Sequence, residues 1–272
     1  NMGSVVQLKQ SINNSYTELL NSVEDKLTLV DEKISSKLSS RVELIQKMTG
    51  YHLDTGGKKL RALLTLSSSK LCGYTKGGRD INLAACVELI HAATLMHDDV
   101  IDNASVRRNK KTLNTIWGNK SSILVGDYLF SRAFQLMVET NSLRVLDILA
   151  NASATIAEGE VLQLTAAQDI STSEDTYLKV VRGKTAALFS AATEVGGVIA
   201  GASQVHVESL YSYGDALGIA FQIVDDLLDV TGDSEKTGKN IGDDFRERKL
   251  TLPFIKAIAK ATEEAQTSIQ ST

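Results

Sequence analysis

The chain of 272 residues contains a single proline, Pro253. Proline removes a backbone donor and breaks helix interiors, so its near absence leaves long helices free to run. Aromatic residues make up only 5%, and alternating β-branched runs bounded by turn clusters are scarce, which argues against a sandwich or barrel. There are two cysteines, Cys72 and Cys86, without zinc or redox spacing, so they read as buried thiols of a reducing compartment. No apolar run reaches ~18 residues and no signal-peptide pattern opens the chain, so the expectation is a soluble, cytoplasmic protein. The net charge of −4 argues against nucleic acid as the main partner. Gly183-Lys184-Thr185 is too short for a Walker loop, and G-x-x-x-x-G-K-[ST] does not occur, which disfavours a nucleotide triphosphatase.

What is present is a 3.6-residue apolar period over most of the chain, which reads as an all-α fold. Val23, Leu27, Val30, Ile34, Leu38, Val42 and Ile45 step by three and four, giving an amphipathic helix or helix pair. Gly56-Gly57 ends it. Further helices are expected over Lys58–Leu71, Ile81–Ile101, Ser121–Glu139, Ser142–Gln168, Ser173–Arg182, Thr185–Ala200 and Gln204–Val230. A polar loop follows Ile101, and a Gly- and Lys-rich loop over 232–249 leads to a last helix near Leu252. No internal repeat or linker divides the chain, so residues 1–272 are expected to form one domain.

One pattern stands out because it occurs twice. Asp98, Asp99 and Asp102 read D-D-x-x-D, and so do Asp225, Asp226 and Asp229. At an aspartate content of ~6%, two copies arise by chance at a level of about 0.002. Each copy lies in a helical run. On a helix, residues i and i+4 share a face and i+1 sits about 100° away, so each copy presents a carboxylate pair with a third beside it. Such a cluster repels itself unless cations neutralise it. Hard oxygen ligands suit magnesium, which bridges carboxylates to a substrate phosphate. Glu88, His91 and Leu95 continue the first stripe, and Gly218 and Gln222 the second.

Basic residues fall in short clusters: Lys58 with Arg61, Arg107 with Arg108, Lys184, Lys239, and Arg246, Arg248 and Lys249. Any one of them is ordinary solvated surface. Set beside glycines and two acidic stripes, they suit a multiply charged anion such as a diphosphate.

The runs Gly-Gly-Lys-Lys-Leu-Arg (56–61), Leu-Ile-His-Ala-Ala-Thr-Leu-Met-His-Asp-Asp-Val-Ile-Asp (89–102), Arg107-Arg108, Gly183-Lys184-Thr185 and Phe-Gln-Ile-Val-Asp-Asp-Leu-Leu-Asp (221–229) resemble those of the trans-isoprenyl diphosphate synthases, or polyprenyl synthetases. The resemblance spans about residues 20 to 258 in the family's order, and is nearest to long-chain members whose products become quinone side chains. It implies an isoprenoid-synthase-type helical bundle around a central cavity, about three Mg²⁺ ions with substrate bound, and a homodimer. It also implies no stable membrane insertion, with transient membrane contact for product release.

The residue roles it implies are specific. Asp98 and Asp102, with Asp99 near, would hold two magnesium ions against an allylic diphosphate; Asp225, supported by Asp229, would hold a third. Arg107, Lys184 and Lys239, and more weakly Lys249, would grip that diphosphate. Lys58, Arg61, His91 and Arg108 would bind isopentenyl diphosphate without metal. Thr185 and Gln222 would face the allylic carbocation. Asn109 stands where the family has Gly, and Ala62 where Pro is usual. The chain stops soon after Pro253, where the family continues, so it is expected to be incomplete at its C-terminus.

Rival readings remain open: a short-chain farnesyl or geranylgeranyl synthase, a non-catalytic subunit of a heteromeric synthase, or an acidic bundle that only binds divalent cations. By the same resemblance, the residue five before the first aspartate, Ala93, sets the cavity floor. Being small, it is expected to leave that floor open. From Asp98 back to Ile81 is about 25 Å of helix, room for roughly five isoprene units before the product must bend or leave.

Overall fold

The computed structural model describes residues 14–167, 169, 171–232, 242, 244, 249 and 251–261. The expected all-α architecture is what the chain adopts. In order, the helices are α1 (Glu24–Leu38), α2 (Glu43–Asp54), α3 (Leu60–Leu71), α4 (Arg79–Ile101), α5 (Leu113–Trp117), α6 (Asn119–Glu139), α7 (Leu143–Ala166), α8 (Glu174–Val181), α9 (Ala187–Ile199), α10 (Gln204–Thr231) and α11 (Leu252–Lys260). The two aspartate motifs end α4 and α10.

α4 forms the centre. Its 23 residues carry apolar side chains nearly all round, from Leu83 through Met96, and most are buried. A helix hydrophobic on every side must be enclosed, and α1, α3, α6 and α9 enclose it. α6 lies along one face, where the Cys86 thiol donates to Ala133 O at 3.4 Å and His97 Nε2 meets Ile123 O at 3.0 Å. Ala93 belongs to that same face and is wholly buried. The open floor expected at Ala93 is therefore corrected: its methyl group fills the α4–α6 seam. Thr94, the next residue, keeps partial exposure.

α9 separates the two aspartate helices, packing on α3, α4 and α10. α10 can come this close only because it presents glycine. A Cβ on Gly214 would sit 2.7 Å from Phe189 O, and one on Gly218 would sit 2.6 Å from Ala186 Cα. Side chains cap three helix starts: Ser142, Ser173 and Ser203 accept from Val145, Thr176 and His206 N–H respectively, filling orphan donors. Pro253 falls in the first turn of α11, where its missing N–H costs nothing.

Two elements differ from the sequence expectation. The polar loop after α4 contains a two-stranded antiparallel ribbon, β1 (Val106–Arg107) and β2 (Lys110–Lys111), with Val106 opposite Lys111. Its two-residue turn is Arg108-Asn109, with φ 50° and 62°, the left-handed pair that a tight hairpin requires. Asn is among the non-glycine residues that most often adopt this conformation, and the turn forms with Asn109 in place of Gly. Second, the break expected at Gly183-Lys184 is a π-helical turn, Arg182–Ala186, that joins α8 to α9 without interruption.

Candidate active site

The site is assembled from the C-terminal end of α4, the β-ribbon, the π-turn and α10. The ribbon is pinned to the turn after α2. Tyr51 Oη donates to Lys111 O at 2.7 Å, Lys110 Nζ to Asp54 O at 3.0 Å, and Arg108 Nη1 to Gly56 O. A Cβ on Gly57 would lie 2.8 Å from Arg108 Nη1, so the glycine pair lets the guanidinium lie across the turn. Pinning the ribbon also fixes Arg107, which forks onto Asp99, with Nη2 at 2.7 Å and Nε at 3.0 Å from Oδ1.

Beside the ribbon lies a cluster of cations and neutral imidazoles. Arg61, in the first turn of α3, stacks its guanidinium 4.8 Å from the centre of the Phe189 ring. Burial pulls its pKa down to about 10, against the opposing charge of Glu88, so it stays charged at neutral pH. Its Nε is buried and meets no hydrogen-bond partner among the described residues. His91 is held neutral, first by burial and then by Arg61, Arg107, His52 and Arg108. His52 is held neutral likewise, at about 4, by burial and by Arg108 and Arg107. Two imidazoles kept uncharged beside several guanidiniums, one with an orphan donor, make a cluster whose charge and donor set suit an anion. Lys58 is exposed at its edge.

Asp98 lies two turns beyond His91 on the same α4 stripe. Burial pushes its pKa up to about 7; Lys184 opposes the shift, while Glu160 and Asp102 add to it. Lys184 Nζ is held by Glu160 Oε1 at 2.7 Å and Gln163 Oε1 at 2.7 Å. It reaches them because α7 and the π-turn touch backbone to backbone: a Cβ on Gly183 would sit 2.8 Å from Gly159 Cα. Lys184, Thr185, Gln222, Asp225, Asp226, Tyr177, Asp244 and Lys249 help line a cavity of about 160 Å³. Lys184 thus stands between the two aspartate motifs. Lys249 closes the rim from the other side, its Nζ 2.8 Å from Asp102 Oδ2.

The structure brings together Asp98, Asp99, Asp102, Arg107 and Lys184 at one end of the bundle, with Thr185, Gln222, Asp225 and Asp229 across the cavity. Arg61, His91 and Arg108 form the adjoining cationic cluster. Lys239, with Arg246 and Arg248, lies outside the described residues. Among those described, no three His, Cys, Asp or Glu side chains gather closely enough to hold an ion by themselves. The donor set nevertheless fits a divalent cation shared with a ligand. Asp229 is buried with Oδ1 unpartnered among the described residues, and Asp98 is a carboxylate in want of positive charge.

Sequence reasoning missed Glu88, Glu160, Gln163 and Tyr177. Glu88 lies on the α4 stripe but was given no task; its carboxylate accepts from Ala62 N–H at 2.9 Å and caps α3. Glu160 and Gln163 are three apart on α7, as countless surface pairs are, and only the fold shows that they flank Lys184. Tyr177 carried one faint signal, being an aromatic in an aromatic-poor chain.

Comparison with known proteins agrees with this geometry. The family model described as polyprenyl synthetase matches residues 42–272. Octaprenyl diphosphate synthase of Escherichia coli K12 is 43% identical over 242 residues, covering 89% of this chain and 75% of that protein. An all-trans-nonaprenyl-diphosphate synthase (geranyl-diphosphate specific) of Rhodobacter capsulatus is 40% identical over 253 residues, covering 93% and 78%. Among solved structures, a decaprenyl diphosphate synthase from Rhodobacter capsulatus superposes with a TM-score of 0.88 at 55% identity, covering 93% of this chain and 78% of that one. A polyprenyl synthase from Caulobacter crescentus, complexed with calcium and isoprenyl diphosphate, superposes with a TM-score of 0.86 at 44% identity, covering 93% and 82%.

Proposed function

The chain belongs to the polyprenyl synthetase family and is a chain-elongating trans-prenyltransferase; from that premise we propose that it builds a long-chain all-trans polyprenyl diphosphate, for quinone side chains, by repeated addition of isopentenyl diphosphate to an allylic diphosphate with magnesium. The observation that carries this reading is the pairing of two unlike sites. One is a metal-poor cationic cluster around Arg61 and His91. The other is an acidic site with Lys184 at its centre and Asp229 Oδ1 in want of a partner.

The chemistry divides accordingly. Arg61, His91, Arg108 and Lys58 bind the isopentenyl diphosphate, whose phosphate oxygens satisfy the Arg61 Nε orphan. Asp98, Asp99, Asp102, Asp225 and Asp229 hold about three Mg²⁺ ions, and Arg107, Lys184, Lys249 and Lys239 grip the allylic diphosphate. Magnesium supplies charge neutralisation of the leaving diphosphate when bound. Lys184 and Arg107 add to it at fixed positions, so the carbon–oxygen bond breaks toward charges already in place. Thr185 and Gln222 turn oxygen atoms toward the allylic cation. The isopentenyl double bond attacks that cation, and the departed diphosphate takes the proton, so no side-chain base is needed. Buried apolar walls keep water from the cation.

The stripe of exposed apolar residues on α6, Ile123, Leu124, Phe134 and Val138, supports a homodimer. No helix among the described residues is long and apolar enough to cross a membrane; the enzyme proposed is cytoplasmic and meets the membrane only to release product. The test is incorporation of labelled isopentenyl diphosphate into farnesyl diphosphate, with magnesium and then with excess chelator. Incorporation that survives the chelator contradicts the reading.

A further inference from the structure

Tyr177 and Asp226 belong to none of the ligand sets above, yet both are buried in the cavity wall. They join Gln222 and Thr185 in a hydrogen-bond chain drawn from α8, α10 and the π-turn. Tyr177 Oη donates to Asp226 Oδ2. Asp226 Oδ1 accepts from Gln222 Nε2 at 2.8 Å. At the other end of the amide, Gln222 Oε1 accepts from Thr185 Oγ1 at 2.7 Å.

The polarity of this chain follows from what each group can do. Asp226 accepts from Tyr177 at one oxygen and from the Gln222 amide nitrogen at the other. The carbonyl end then faces Thr185, and an amide carbonyl only accepts. The threonine proton is committed to it, and the hydroxyl has only lone pairs left for the cavity. At the far end, burial first, and then Asp226 with the neighbouring Asp244 and Asp225, push the Tyr177 pKa up. Tyr177 therefore keeps its proton and remains a donor. Turned over, the same amide would drive the threonine proton into the cavity, the wrong sign beside a growing cation.

We propose that Tyr177 and Asp226 are positioning residues that lock the Gln222 amide, and through it the Thr185 hydroxyl, with oxygen lone pairs turned toward the carbon that becomes cationic. This rests on the assignment of Thr185 and Gln222 to the allylic end of the site. It gives the second aspartate of the α10 motif a task distinct from metal binding, and it recruits a residue outside either motif.

The test compares two allylic diphosphate analogues in magnesium. One carries a protonated amine at the cationic centre; the other is its uncharged carbon isostere. Both carry the same diphosphate, so their affinity ratio cancels changes in metal or phosphate binding and reports the sign of the wall facing the cation. Unchanged binding of the isostere serves as the control for folding. Wild type prefers the amine. A hydrogen bond to a charged group is worth about tenfold to a hundredfold, so Asp226→Asn lowers that preference by about tenfold or more. Tyr177→Phe, which removes no charge, lowers it by about threefold.

Asp226 could instead act directly through its charge, and a double-mutant cycle separates the two. In a Gln222→Ala background the amide is gone, so adding Asp226→Asn leaves the ratio unchanged within about twofold. The proposal is overturned if Tyr177→Phe and Asp226→Asn keep the wild-type ratio, or if Asp226→Asn lowers it by the same factor with Gln222 absent. Should wild type itself show no preference for the amine, the assignment of Thr185 and Gln222 falls, and this inference with it.

Discussion

Removing Arg61 and removing Lys184 should damage different substrates. Arg61 is a buried cation with an unpartnered Nε, beside two neutral imidazoles and Arg108. No carboxylate forms an ion pair with it among the described residues; Glu88 is spent on the backbone of α3. A hydrogen bond from such a donor to phosphate is worth ~1.5–3 kcal/mol, or about 10- to 150-fold at roughly 1.4 kcal/mol per decade. Arg61→Ala should therefore raise the KM for isopentenyl diphosphate by that factor and leave the KM for the allylic substrate within about threefold. Lys184 sits elsewhere, between Glu160 and Gln163. Lys184→Ala loses a phosphate donor and also bares the Glu160 carboxylate beside Asp98, so the allylic KM should rise at least as far. Adding Glu160→Gln to Lys184→Ala should recover part of that loss, because the uncompensated charge is gone. The assay is steady-state condensation with each substrate varied against saturating partner. Equal effects of both variants on both substrates would merge the two sites and refute the division.

Other consequences follow from the same geometry. Asp98→Ala or Asp225→Ala should cost ~10²–10³-fold in turnover with magnesium present while far-ultraviolet circular dichroism stays unchanged. The metal-free Asp98 carboxyl has a pKa raised to about 7, so it is protonated below that pH and must lose a proton to take a metal. Magnesium affinity in the presence of an inert diphosphate should fall as pH drops through 7, and calorimetry in buffers of different ionisation enthalpy should detect proton release; pH-independent binding between 6 and 8 would contradict this. Ala93→Tyr forces a ring into the α4–α6 seam. It should cost ~1–3 kcal/mol of stability, read as a lower Tm, and leave the main product long, because the seam is already closed at Ala93. A main product shortened to about fifteen or twenty carbons would show that the growing chain opens the seam.

The helices and the two acidic stripes were legible because they rest on periodicity, which a central helix such as α4 displays along its whole length. The cationic residues were legible by type and by family likeness, but not their present partners. That Lys249 reaches Asp102 depends on a contact between segments 147 residues apart, which no local pattern encodes, and that Arg107 forks onto Asp99, eight residues before it, depends on how the β-ribbon folds back. The β-ribbon escaped notice because two residues per strand are too few to show alternation. The π-turn escaped because Gly183 reads as a helix breaker; only its back-to-back contact with Gly159 reveals a spacer. Ala93 misled for a related reason: a small side chain can leave a space or let two helices close it, and here α6 closes it.

The central claim is that this chain elongates an allylic diphosphate to a long polyprenyl product. Its most direct test is chromatography of the dephosphorylated products after incubation with magnesium, farnesyl diphosphate and labelled isopentenyl diphosphate. A dominant product of about eight to ten isoprene units is expected, longer than the roughly five that fit beside α4. A dominant product of about twenty carbons or fewer would contradict the long-chain reading, and no incorporation at all would contradict the assignment of the site.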